Sequence, residues 1–387
     1  MPTDSVYLDY AATTPLDPAV ALAMQRCAGE AGVLANASSI HREGRRAAVL
    51  VDDARQLLAE LLNTDPGRLI WTSGATESDN LAIQGAARFR AHRGRHLVTM
   101  PTEHKAVLES FRALENDGFE VTWLRPGRDG RLDVAELEQV LREDTQLVSI
   151  MHVNNETGVI QDIEAIGALC RERDVLFHTD AAQSVGKLAV DLGSLPVDLL
   201  SLTAHKFYGP QGVGALYIAD RPGCHVQPLM HGGGQEQRLR PGTLPVALIV
   251  GAGAAARMAL QHREADMAHV TALRDRLWAG LAALDGVTRN GDTAHCYPGI
   301  LNVGAEGVEG ESLMLGLEPV CAASGSACNS LAGEPSFVLR ALGRSDTEAQ
   351  SAVRFSLGRM STEKEVDIAI ERYRWALEHL RSIAPSP

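Results

Sequence analysis

The chain has 387 residues and a formal net charge of −13. That acidity argues against the basic footprint of a nucleic-acid binder. Hydrophobic residues make up 45% and charged residues 22%, as in a soluble globular protein with apolar surface for two domains. The longest apolar run, Val246 to Ala256, falls well short of the ~20 residues needed to span a bilayer. The N-terminal MPTDSVYLDY lacks the basic and apolar regions of a signal peptide, so a cytoplasmic protein with no membrane partner is expected. The six cysteines form no CxxC pair, which argues against a structural zinc site; no metal is expected.

From Arg68 onward, apolar runs alternate with amphipathic stretches. Strands are predicted over 68–72, 96–100, 119–124, 147–153 and 175–179. Helices are predicted over 78–90, 105–116, 134–141 and 164–173. This alternation predicts an α/β fold with a doubly wound, mainly parallel sheet. Ligands in such sheets bind at the carboxyl ends of strands, where SGATES, TEH, NNETG, DAAQS and TAHK fall. After Pro245 a long helical stretch runs to about Leu284, with one break allowed. Strands over 300–303 and 353–356 and a helix over 363–381 follow, as a second domain.

Residues 199–217 form the centre of this pattern: an apolar run, then Thr203, Ala204, His205 and Lys206, then a Gly/Pro-rich turn. A lysine amine forms a Schiff base once desolvation or nearby positive charge lowers its pKa. The chain has four lysines, Lys105, Lys187, Lys206 and Lys364, so few residues can do imine chemistry. Lys206 is either such a group or a solvated charge closing a hairpin.

The other strand ends carry matching choices. Ser73 to Glu77 is either an anion site at a helix start or ordinary N-terminal capping. Asp180 ends a strand that should be buried; it meets a cation, such as a protonated pyridine nitrogen, or caps the following turn. Asp180 and Lys206 lie one crossover apart and should end neighbouring strands. His104 is an aromatic platform, a proton shuttle or a satisfied histidine, and Lys105 beside it is the second Schiff-base candidate. Cys328, among small polar residues in SGSACNS, is either a nucleophile or an incidental thiol. Arg354 in VRFSLGR grips a substrate carboxylate or makes a structural ion pair. Residues 250–256 match GxGxxA, a nucleotide-binding pattern, but sit inside a helix, where close helix packing is the better account.

The stretches YLDYAATTP, TSGATESDNLAI, TEHKAVL, SIMHVNNETG, DAAQSVGK, HKFYGPQGVGALY, HGGGQE, GTLP, SGSACNS and VRFSLGR together resemble the cysteine desulfurases of the NifS/IscS family. That is a family of pyridoxal 5'-phosphate (PLP) enzymes with the aspartate-aminotransferase fold. The resemblance runs through nearly the whole chain in order, and SGSAC is similar to the subgroup with a long cysteine loop. It implies a large PLP-binding domain over 15–261. It also implies a small α+β domain, made of 1–14 and 262–387, that carries the Cys328 loop.

The resemblance also implies roles. Lys206 would carry PLP, Asp180 would bond the pyridine nitrogen, Gln183 the ring oxygen, and His104 would stack on the ring and pass protons. Ala75, Thr76, Thr203 and His205 would hold the phosphate, with Thr243 reaching it from the other subunit of a homodimer. Asn155 would lie near the ring oxygen and the substrate. Arg354 and Asn36 would hold the carboxylate of L-cysteine, although Ala35-Asn36-Ala37 stands where the family commonly has Gly-Asn-Pro. Cys328 would take the sulfur and pass it, as a persulfide, to an acceptor protein in iron–sulfur assembly, tRNA thiolation or DNA phosphorothioation.

Overall fold

The computed structural model describes residues 5–28, 32–33, 35–324 and 334–383. The expectations for Cys328 and its loop lie outside the described residues. Strand β1 (Val6–Tyr7) and helices α1 (Pro18–Ala28) and α2 (Arg42–Leu62) come first. The alternating part follows as β2 (Leu69–Thr72), α3 (Ala75–Arg90), β3 (His96–Thr99), α4 (Lys105–Asn116), β4 (Glu120–Trp123), α5 (Val134–Val140), β5 (Thr145–Ser149), α6 (Ile163–Glu172), β6 (Leu176–Asp180), β7 (Leu199–Thr203) and β8 (Gly214–Ile218). After α7 (Val246–Ala282) come β9 (Val287–Arg289), β10 (Ile300–Ala305), α8 (Gly310–Gly316), β11 (Val320–Cys321), β12 (Ala323–Ser324), α9 (Phe337–Ala341), α10 (Asp346–Gln350), β13 (Val353–Ser356) and α11 (Glu363–Ile383).

The central sheet has seven strands in the order β2-β8-β7-β6-β5-β3-β4. The pairs from β7 through β4 are parallel, and β8 runs antiparallel to both β7 and β2. Its strands β2, β3, β5, β6 and β7 are buried along their whole length, as expected of a parallel sheet covered on both faces. The register places Asp180 opposite Ser201, so Asp180 and Lys206 do come off the same ends of neighbouring strands. A second sheet has the order β12-β13-β10-β9. Its core draws on α7, α8 and α11 through Leu273, Leu277, Leu313, Tyr373 and Leu377, and Val6 and Leu8 join it from the N-terminal arm.

Two expectations need correction. The strand predicted over 147–153 stops at Ser149. Beyond it, Val153 bridges to Ile160, because Asn154 turns the chain: its Oδ1 accepts from the backbone N–H groups of Glu156 and Thr157 at 3.0 and 2.9 Å. The long helix α7 runs unbroken from Val246 to Ala282. Helices α1 and α2 were not anticipated. The buried residues of α2 are Gly44, Ala47, Val51, Ala54, Leu58, Ala59, Leu61 and Leu62, and half of them are glycine or alanine, a weak hydrophobic signal.

The GxGxxA run indeed lies within α7, where it packs on α2. A Cβ on Gly253 would stand 2.6 Å from Ala54 Cα, so the two backbones meet directly. Gly253→Val should overpack this contact and lower the unfolding free energy by about 1–3 kcal/mol. A denaturant melt checks this, and an unchanged midpoint would contradict the packing role.

Candidate active site

The site begins with the N-terminal arm, which clamps the turn after β7. The backbone N–H and Oγ1 of Thr14 both donate to the carbonyl of His205 at 2.9 Å, and that hydroxyl accepts from Tyr208 N–H at 2.7 Å. Lys206, held in this turn, directs Nζ to the carbonyls of Ala11 and Ala12 at 2.5 and 2.7 Å. The amine therefore faces a cavity of about 560 Å³ at the carboxyl ends of the strands.

Asp180 lies at the buried end of β6 and lines the same cavity. Its Oδ1 accepts from Ala182 N–H at 2.8 Å. Burial pushes its carboxyl up, while His104, the Ala182 N–H and Lys206 pull it down. Two more carboxyls lie behind it. Asp79 is fully buried with neither oxygen hydrogen-bonded among the described residues. Glu103 accepts from Met151 N–H through Oε1 at 2.8 Å. Burial, reinforced by Asp180, holds both well above the usual carboxylate range. Of these three, Asp180 is the carboxyl that faces the cavity. Glu77 accepts from Ser73 N–H at 2.7 Å and pairs with Arg240 at 2.8 Å.

His104 is the N-cap of α4: its Nδ1 accepts from Ala106 N–H at 3.2 Å. Asp79, His104 and Asp180 bring three ligand-type atoms within 4.8 Å of one another.

At the other end of the cavity, residues 73–76 open α3, whose first backbone N–H groups have no helical partner. Gly74 has φ 155°, and a Cβ on Gly214 would stand 2.7 Å from Gly74 Cα, so the loop is drawn tight against β8. Thr203, His205, Gln211 and Gly212 close this end. Burial, then Lys206 and Lys187, push the His205 imidazole down to about 4; it is a neutral hydrogen-bonding group.

This donor set fits PLP. A helix start with hydroxyls beside it suits the phosphate, the buried Asp180 suits a protonated ring nitrogen, and Lys206 supplies the amine. Ala75, Thr76, His104, Asn155, Asp180, Gln183, Thr203, His205, Lys206 and Arg354 all line this one cavity. Two expected residues are not among its lining. Thr243 is exposed just before α7. Asn36 is exposed, and its Oδ1 turns back to accept from Ser38 N–H at 2.9 Å.

Residues 6–368 match the aminotransferase class-V family. The chain belongs to that family. It is 53% identical over 381 residues to the cysteine desulfurase IscS of Pectobacterium atrosepticum, covering 98% of this chain and 94% of the relative. A solved NifS-like protein superposes with a TM-score of 0.90 at 36% identity, over 97% of this chain and 100% of that one. SspA in complex with cysteine superposes with a TM-score of 0.82 at 37% identity, over 92% and 100%. Within the class-V family, this chain belongs with the NifS/IscS-type cysteine desulfurases.

Several residues of this class-V site escaped sequence reasoning. Asp9 pairs with Arg354 at 2.7 Å, and Arg354 also donates to the Asn155 carbonyl at 2.8 Å. Arg354 Nε is buried with no hydrogen-bond partner among the described residues. The carbonyls of Ala11 and Ala12 carry no side-chain signal at all. Glu156 lines the cavity and accepts from Ser336 Oγ at 2.5 Å. Burial, against the opposing pull of Ser336, Arg354 and His104, pushes its carboxyl up to about 7.

A titration follows from Glu156. Between the ordinary carboxyl range and about 7, its folded form keeps a proton that the unfolded chain has lost. Stability therefore falls as pH rises through this window and levels off above it. Glu156→Gln should flatten that slope relative to the unaltered protein, in melts compared at pH 5 and pH 7.5. Equal slopes in both proteins would contradict a buried, proton-holding Glu156.

Proposed function

We propose that this protein is a PLP-dependent L-cysteine desulfurase, which removes sulfur from L-cysteine and leaves L-alanine. The observation that carries this reading is the meeting of Asp180 and Lys206 across a cavity that ends in an anion cradle. The 53% identity to a cysteine desulfurase IscS supports it along 98% of the chain.

When bound, PLP supplies an electron sink for the substrate Cα. The residues of the chain do the rest. Ala75, Thr76, Thr203 and His205 hold the phosphate. Asp180 keeps a proton on the ring nitrogen, and Gln183 and Asn155 face the ring oxygen. Arg354, braced by Asp9, holds the substrate carboxylate in a charge-assisted contact. Once cysteine has displaced it, Lys206 Nζ moves the Cα proton, and His104 gives or takes protons beside the ring. The Cys328 thiolate attacks the substrate sulfur; the carbon–sulfur bond breaks and an S–S bond forms. The substrate carbon is then protonated to give alanine, and Cys328 is left as a persulfide, so atoms and electrons balance without a further oxidant. That sulfur passes to an acceptor protein.

We further propose that the protein works as a homodimer in which Thr243 reaches the phosphate of the other subunit. The exposure of Thr243 outside its own cavity supports this. Residues 15–261 form the large domain, and 1–14 with 262–387 the small one. Packing of Val6 and Leu8 with α7, α8 and α11 favours that division. No described helix is long and apolar enough to cross a membrane.

The protein incubated with L-cysteine and a thiol reductant should release alanine and sulfide. Cys328→Ala should keep the cofactor's colour and lose at least about 100-fold in sulfide release. Undiminished sulfide from that variant would show that Cys328 is not the sulfur acceptor.

A further inference from the structure

The second lysine of this region, Lys187, has no part in the chemistry above. Its amine donates to Gln183 Oε1 at 2.7 Å and lies 5.3 Å from the centre of the buried Tyr297 ring. Lys187 is half-exposed as a whole residue, but its amine faces inward to these partners. Gln183 Nε2 donates to the Ala11 carbonyl at 2.8 Å, the same oxygen that accepts from Lys206 at 2.5 Å. A continuous chain of hydrogen bonds thus runs from Lys187 through Gln183 and Ala11 to Lys206.

The orientation of the Gln183 amide is set by these partners. The Ala11 carbonyl can only accept, so it takes Nε2, and Oε1 is left to face the Lys187 amine. The second hydrogen of Nε2 is then available to the cavity that Gln183 lines. The backbone fixes the same arrangement. Gly186 has φ 78°, and a Cβ there would stand 2.5 Å from Phe207 Cβ. The segment bearing Gln183 and Lys187 therefore packs directly on the turn bearing Lys206.

We infer that Lys187 is a positioning residue for the cofactor's ring oxygen: its amine holds Gln183 with Nε2 presented to that oxygen and strengthens the Nε2 donor. Hydrogen bonds in such a chain polarise one another. Burial pushes the Lys187 amine well down, and Lys206 and Arg354 push it further. The inference rests on the PLP reading and goes beyond it in giving this lysine a task.

The test uses the full chain loaded with PLP. Lys187→Met removes the donor and keeps the length. The midpoint of the pH-dependent absorption change of the bound cofactor should rise by about one unit, and the PLP Kd by about tenfold, the scale of one hydrogen bond. In a Gln183→Leu background the Lys187 substitution should add nothing further, since it acts through Gln183. A Lys187→Met protein with unaltered Kd and midpoint overturns the inference, and so do fully additive shifts in the double variant. If Lys187→Met does not fold, protein labelled with 13C at lysine Cε decides. With four lysines in the chain, the Lys187 resonance should move when PLP is added to the apoprotein, and a fixed resonance overturns the inference. Unaltered protein that takes up no PLP would instead defeat the cofactor reading itself.

Discussion

A carboxyl buried at the end of a central strand needs either a proton or a cation, and the site is built around that need. Asp180 ends β6 inside the protein with Asp79 and Glu103 behind it. Burial pushes all three carboxyls above the usual carboxylate range. At Asp180 alone His104, the Ala182 N–H and Lys206 together oppose that rise. A cofactor ring carrying a proton on nitrogen would be a further cation in the cavity that Asp180 lines.

The parallel sheet makes that encounter possible. Adjacent parallel strands deliver their carboxyl ends to one edge, so Asp180 and the turn bearing Lys206 arrive together. The N-terminal arm then finishes the site from outside the sheet. It offers backbone carbonyls to Lys206, a hydroxyl to Tyr208 N–H and Asp9 to Arg354. Because Val6 and Leu8 are packed in the second core, the arm links that core to the lysine turn. A shift of one against the other would be felt at the amine.

The α/β alternation, the strand order at Asp180 and Lys206, and most of the cavity lining could be read from residue types and spacing. Strands with continuous apolar runs and polar caps announce themselves. What could not be read shares a physical cause. The Ala11 and Ala12 carbonyls act through backbone atoms, which every residue has. Asp79 and Glu156 have the same side-chain chemistry as many surface acids, and only burial distinguishes them. The Asn36 side chain folds onto its own turn, a local choice that a motif does not encode. Cys328 rests on the family resemblance and on its small polar neighbours in the sequence.

The central claim is that one lysine of the four carries the cofactor. Borohydride reduction of the PLP-loaded protein fixes that bond irreversibly, and mapping the peptides then locates the pyridoxyl group. The account predicts it on Lys206. Recovery of the label on Lys105 or Lys187, or no label in protein that has taken up PLP, would contradict it.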